Sequence, residues 1–151
     1  MPACCAEAGE GYAAFYDGGA RNNGTPFAVA GAGAVLYKDG LLVSSATHPL
    51  PAVRTNNVAE YEGLTAALGL LQNLPQQPHC SARIIGDSEV VTRHMELTAQ
   101  PQEHLRPYFM RARQRQAQLL PRFSLTYQHV RRQDNAIADA LSNDAMDEAH
   151  R

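Results

Sequence analysis

The chain opens on two apolar runs rather than on a helical period. Residues 11–17, GYAAFYD, form a short apolar stretch that ends in the turn-rich DGGARNNG, the pattern of a buried strand followed by a loop. Residues 27–37, FAVAGAGAVLY, predict a second strand whose glycines permit close packing or a bulge. KDG at 38–40 then turns the chain into LLVSSATH, the partner strand of a hairpin. From Asn57 the spacing becomes helical, with Tyr61, Leu64, Leu68 and Leu71 on one side and an end before Pro75.

Beyond LPQQPH, the run SARIIGD predicts a buried strand and SEVVTRHM a short helix that Ser88 can cap. LRPYFMRARQRQAQLL reads as an amphipathic helix bounded by Pro121, RFSLTYQHV as a fifth strand, and residues 134–148 as a last helix. Three antiparallel strands followed by strands joined through helical crossovers predict an α/β fold. Its five-stranded mixed sheet carries helices on both faces. There is no internal repeat, so one domain is expected over residues 11–148, with 1–10 as a disordered lead-in.

Composition narrows this only a little. A length of 151 residues with 44% hydrophobic content suits a single core, and a net charge of -2 gives no global signal for nucleic acid. The positive charge is uneven, however. Of the 13 basic residues only Lys38 is a lysine, and seven arginines fall between Arg106 and Arg132. That cluster is either a solvated helix face or a phosphate-facing patch. The three cysteines, Cys4, Cys5 and Cys80, make no disulfide framework, so reduced thiols and an intracellular location are expected. MPACCAEAGEG lacks the basic start and apolar run of a signal peptide, and no segment is long enough to cross a membrane.

The candidate chemistry lies in four carboxylates. Asp17 closes the first predicted strand, Glu60 lies in the first helix, Asp87 closes the fourth strand and Asp139 lies in the last helix. If SARIIGD pairs with the first strand, Asp17 and Asp87 emerge side by side at the strand ends where α/β sheets place ligands. Each also has a local explanation: Asp17 suits a turn before Gly18 and Gly19, and Asp87 favours a helix N-terminus. Asp139 falls nearly opposite the face carrying Ile137, Leu141 and Ala145, which reads as solvent exposure.

The neighbouring glutamates Glu60 and Glu62 separate on the helical wheel. Glu60 lies about 60° from the centre of the apolar face and Glu62 about 140°. Glu62 is therefore expected in solvent and Glu60 on the shoulder of the buried face, where a carboxylate needs a partner or a cation. Hard oxygen donors without a Cys/His pattern favour Mg²⁺ or Mn²⁺ over zinc.

In order and spacing, FYDGGARNNG, GAGAVLY, TNNVAEYEGL, GDSEVV and HVRRQDNAIADALSNDA resemble the type 1 ribonuclease H family, and most closely its archaeal-like branch, which also occurs in retroelement polyproteins. The resemblance covers residues 12–147. It implies that Asp17, Glu60, Asp87 and Asp139 hold two Mg²⁺ ions, with Mn²⁺ as a substitute, and that the RNA strand of an RNA–DNA hybrid is cut to 3′-hydroxyl and 5′-phosphate ends. Asp17 would bridge the ions, Asp139 would serve the one activating water, and Glu60 and Asp87 the one near the leaving oxygen. His129 matches a position that in many members assists water delivery or product release, and otherwise simply ends the fifth strand. Asn23, Thr55, Asn56 and Asn57 match positions that touch phosphates and minor-groove edges, including the RNA 2′-hydroxyl. Asn57 alternatively caps the helix. Ser88, Glu89 and Asn135 are grouped with these contacts, although Glu89 occupies a slot that is often glutamine and cannot donate.

The chain departs from many members in lacking tryptophan and a lysine-rich basic protrusion, which leaves the arginines to supply phosphate contact and predicts salt-sensitive binding. The expected state is a monomer, free-standing or joined to a reverse transcriptase in a polyprotein. Two other readings are a same-fold nuclease for double-stranded RNA and a catalytically inactive nucleic-acid-binding domain. The intact set of four acids argues against the latter.

Overall fold

The computed structural model describes residues 11–22, 24–51 and 55–149. Five strands, β1 (Tyr12–Arg21), β2 (Val29–Lys38), β3 (Leu41–Leu50), β4 (Cys80–Gly86) and β5 (Phe123–His129), form one sheet in the order β3-β2-β1-β4-β5. The first three pair antiparallel, and β1–β4 and β4–β5 pair parallel, as the sequence predicts. Four α-helices accompany them: α1 (Asn56–Gln72), α2 (Glu89–Met95), α3 (Arg106–Leu119) and α4 (Ala136–Ala149). Asp39 and Gly40, both at positive φ, make the two-residue hairpin turn between β2 and β3.

The main core lies between the sheet and α1. Tyr61, Leu64, Leu68 and Leu71 are fully buried there against Ala14, Tyr16, Ala82, Ile84 and Phe123. α4 covers β1, β2 and β3 from the other face. Among the described residues no helix is long and apolar enough to cross a membrane. Cys80 is buried at the start of β4, and the other two cysteines, Cys4 and Cys5, lie outside the described residues.

Two expectations are corrected. DGG is not the start of a loop, because β1 runs on through Gly18 and Gly19, which pair with Ala32 and Gly31 of β2. Asp17 sits instead where β1 loses its other neighbour, since pairing with β4 stops at Tyr16–Gly86. The buried face of α4 is also different: Ala138, Ser142, Ala145 and Met146 are buried, whereas Ile137 is 55% exposed. The cause is the glycine-rich β2. A Cβ on Gly31 would lie 2.7 Å from the Ala145 Cβ, and one on Gly33 2.5 Å from the Leu141 Cβ. The backbone of α4 from Leu141 to Met146 comes down onto glycines of the strand, and close approach outweighs side-chain size. Asp139 therefore borders the buried face rather than opposing it.

Candidate active site

Glycine also brings the first helix onto the first strand. A Cβ on Gly18 would lie 2.0 Å from the Ala59 carbonyl oxygen, and one on Gly63 2.4 Å from that of Asp17. With hydrogen at both positions, the backbones of α1 and β1 touch and Glu60 is set beside Asp17. Gly86 does a related job at the end of β4, where the Tyr16 ring occupies the space of a side chain. Asp87 follows directly, and Ser88 caps α2 by accepting from the Val91 amide at 3.2 Å. The outcome is that carboxylate oxygens of Asp17, Glu60 and Asp87 lie within 4.8 Å of one another.

Asp139 faces the same open cleft of about 470 Å³, whose walls include Asn56, Arg21, Arg132, Ser142 and Asn143. The Ser142 hydroxyl lies 3.2 Å from Asp17 Oδ2 and 2.9 Å from the Asp139 carbonyl oxygen, so it links the strand acid to the helix. Arg132 Nη2 stands 3.5 Å from Asp139. At the far end of the cleft, Arg21 donates to Asp147 and Asn143, each at 2.7 Å.

The electrostatics follow from too many acids in too little water. Burial, then the neighbouring Asp87 and the contact with Asp139, push the Asp17 carboxyl up to about 7, against a backbone hydrogen bond at Gly18. Burial and Asp87 push Glu60 up to about 7, partly offset by the Ser88 hydroxyl. Asp87 is raised by burial and by Asp139, and restrained by Arg132 and Asn135. Arg132 answers only Asp87 and Asp139, so Asp17 and Glu60 lack a counter-charge, and an all-oxygen cluster suits a hard divalent cation.

The other predicted residues divide. Thr55, not Asn57, caps α1, accepting from the Val58 amide at 3.3 Å. Asn56 lines the cleft and its Oδ1 accepts from the Ala20 amide at 3.0 Å. Asn57 is half-buried in the first turn, outside the cleft lining. Glu89, exposed at the start of α2, pairs with Arg93 at 2.6 Å. His129 is exposed at the end of β5, in register with Gly86, and does not line the cleft. Asn135 is buried, and its amide donates to the Tyr16 carbonyl at 2.8 Å, tying the approach to α4 to β1. Asn23 lies outside the described residues.

Glu62 corrects its expectation: it is half-buried and ion-paired with Arg111 of α3 at 3.0 Å rather than solvated. Ser142, Arg132, Arg21 and Asn143 are cleft residues that sequence reasoning missed. Ser142 carried a usable signal, since it stands three residues after Asp139 and so on the same helix face. Arg21 and Asn143 carried none, because they meet only in the fold.

The sequence matches the reverse transcriptase-like family over residues 15–145. It is 33% identical over 144 residues to "Ribonuclease HI" of Halobacterium salinarum, covering 90% of this chain and 64% of that protein. It is 35% identical over 136 residues to the "Bifunctional protein Rv2228c" of Mycobacterium tuberculosis, covering 88% of this chain and 35% of that protein. The chain thus spans just under two thirds of the first of these relatives and about a third of the second. Among solved structures, the N-terminal RNase H domain of Rv2228c superposes with a TM-score of 0.79 at 31% identity, covering 93% of this chain and 96% of that one. LC11-RNase H1, solved in complex with an RNA/DNA hybrid, superposes with a TM-score of 0.78 at 31% identity, covering 91% of this chain and 98% of that one. The fold, the acidic cluster and these matches coincide, and the chain belongs to the reverse transcriptase-like family, on its type 1 ribonuclease H side.

Proposed function

We propose that the chain is a metal-dependent endonuclease that hydrolyses the RNA strand of RNA–DNA hybrids. The observation that carries this reading is the convergence of Asp17, Glu60 and Asp87, with carboxylate oxygens within 4.8 Å of one another. The relative named "Ribonuclease HI" and the hybrid bound by LC11-RNase H1 support the substrate. The catalytic unit spans residues 11–148 and acts as a monomer.

The donor set fits divalent cations. Asp17 and Glu60 are held up near 7, and they ionise fully at neutral pH only if positive charge is added. Asp17, Glu60, Asp87 and Asp139 would hold two Mg²⁺ ions, with Mn²⁺ as a substitute. When bound, the metal supplies charge for the scissile phosphate and lowers the pKa of water. The protein's own contribution is placement. Ser142 orients Asp17, Ser88 orients Glu60, and Asn135 restrains Asp87. Asn56 on the cleft wall, with Thr55 beside it, would contact the duplex. In hydrolysis a water oxygen bonds to phosphorus, the bond to the 3′ oxygen breaks, and that oxygen leaves as a protonated hydroxyl. The products are 3′-hydroxyl and 5′-phosphate ends.

The test uses an RNA–DNA hybrid and an all-RNA duplex, each strand labelled in turn, with Mg²⁺, with Mn²⁺ and with EDTA. The expected result is metal-dependent cutting of the RNA strand of the hybrid alone. Equal cutting of the all-RNA duplex would overturn the substrate assignment. Failure to cut either duplex with either metal would overturn the nuclease reading itself.

A further inference from the structure

Across α1 from the cleft, a groove of about 620 Å³ runs between the second half of β3, α1 and α3. α3 supplies its charge: RPYFMRARQRQAQL contains four arginines and no acid, in a chain of net charge -2. The two arginines that line the groove are held differently. Arg111 lies 3.0 Å from Glu62 and over the ring of Tyr108. Arg115, one helical turn further on the same face, has no carboxylate in ion-pair range among the described residues.

Arg115 is nonetheless accommodated. A Cβ on Gly69 of α1 would lie 3.4 Å from Arg115 Nη1 and, outside the neighbouring turns of α1 itself, within 4 Å of nothing else among the described residues. The Arg115 guanidinium thus lies over α1 at Gly69, at a spacing an added methyl would meet as ordinary van der Waals contact. The rest of the wall offers the hydroxyls of Ser45 and Thr65 and the amide of Asn73 as further hydrogen-bond donors. Its single carboxylate, Glu62, is already committed to Arg111.

We propose that this groove binds the sugar–phosphate backbone of the nucleic-acid substrate beyond the cleft. Arg115 and Arg111 are its phosphate contacts, and Glu62 competes for Arg111. The proposal rests on the reading of the chain as a hybrid nuclease. Planar guanidinium groups match two phosphate oxygens at once. Glu60 and Glu62 lie about 3 Å apart along the α1 axis and on opposite sides of it, so cleft and groove flank the same helical turn.

The test is equilibrium binding of a fluorescent hybrid of about 20 base pairs to the full chain in EDTA, across a salt series. Arg115→Gln is expected to weaken binding roughly three- to tenfold and to reduce the slope of log K against log salt by about 1. Arg115→Lys should restore most of that slope. Glu62→Gln, which frees Arg111, should tighten binding several-fold. Arg83→Gln is the charge control. Arg83 is exposed on β4, where the alternation with buried Ala82 and Ile84 turns it to the opposite face of the sheet. Its loss should change affinity by no more than about twofold.

An unchanged slope in Arg115→Gln, an equal loss in Arg83→Gln, or weaker binding in Glu62→Gln would each overturn the groove. Thermal melts of every variant separate these outcomes from misfolding. If the chain binds the hybrid in this way but never cuts it, the nuclease reading fails and the groove stands. If it cuts the hybrid while Arg115→Gln keeps the parent slope, the groove fails and the nuclease reading stands.

Discussion

Glu60 and Glu62 sit on one helix, two residues apart, and both are half-buried. Glu62 has Arg111 at 3.0 Å, whereas Glu60 faces Asp17 and Asp87. Burial is therefore the same kind of cost on both sides of α1, but only one side carries its own compensation. A carboxylate that is buried and already paired is part of the packing between helices. A carboxylate that is buried among other carboxylates is a demand for charge from outside. On the proposed reading, the cleft is the part of the molecule that a cation completes.

The sharpest way to break this contrast is to remove the most buried acid of the cluster, Asp17. Asp17→Asn should lower cleavage by about 10³-fold or more while hybrid binding survives, because the proposed cation site would lose its most buried donor. Single-turnover cleavage with Mg²⁺, beside a binding titration, checks both halves. Substantial Mg²⁺-dependent activity in the variant would refute the site.

Next in size is the pair itself. Glu60→Gln should cost at least about 100-fold more in kcat than Glu62→Gln, since only the first removes charge from the cleft. Equal losses would erase the distinction between the two sides of α1.

Glu60 was legible in the sequence because its helix carries a clean apolar face, and a residue on the shoulder of that face has nowhere to go but inward. The same wheel misjudged Glu62, because the residue that shelters it, Arg111, lies 49 positions away on another helix. The strand order was legible from apolar runs and turn residues. The extent of β1 was not: Gly18 and Gly19 resemble a turn, yet they are strand residues whose bare backbone admits Ala59 and Met146. α4 misled for a related reason. Its Ile137 suggested one buried face, while the glycines of β2 selected the small residues of another. Asp139 was placed by family resemblance, and its local periodicity pointed the other way.

A smaller effect is expected in the stability of the metal-free chain. Asp17 and Glu60 stay protonated up to about 7 when folded, whereas in an unfolded chain such groups ionise near 4. Between those limits the folded state binds more protons than the unfolded one. Their contribution to stability is therefore full below about pH 4 and is lost as pH rises through about 7. Mg²⁺ should reverse this by binding the ionised folded form. The rise in Tm on adding Mg²⁺ should be small at pH 5 and about several degrees at pH 8. A Mg²⁺ shift of the same size at both pH values would show that the acids are not starved of charge.

The finest probe concerns how the cleft is held in place. The Ser142 hydroxyl has two acceptors for its one proton, Asp17 Oδ2 at 3.2 Å and the Asp139 carbonyl at 2.9 Å, so it couples the most buried acid to the helix that carries the fourth. Ser142→Ala removes that coupling without removing a charge. The bond to a carboxylate is worth about 1.5–3 kcal/mol at most, and Asp17 keeps its backbone partner at Gly18. The loss in kcat should then be roughly three- to tenfold, well below that of Glu60→Gln. Because the serine orients an acid without meeting the substrate itself, KM should hold while the Mg²⁺ concentration needed for half-maximal rate rises. Ser142→Thr, which keeps the hydroxyl, should recover most of that requirement. If KM changes instead and the Mg²⁺ requirement does not, Ser142 acts on the substrate rather than on Asp17.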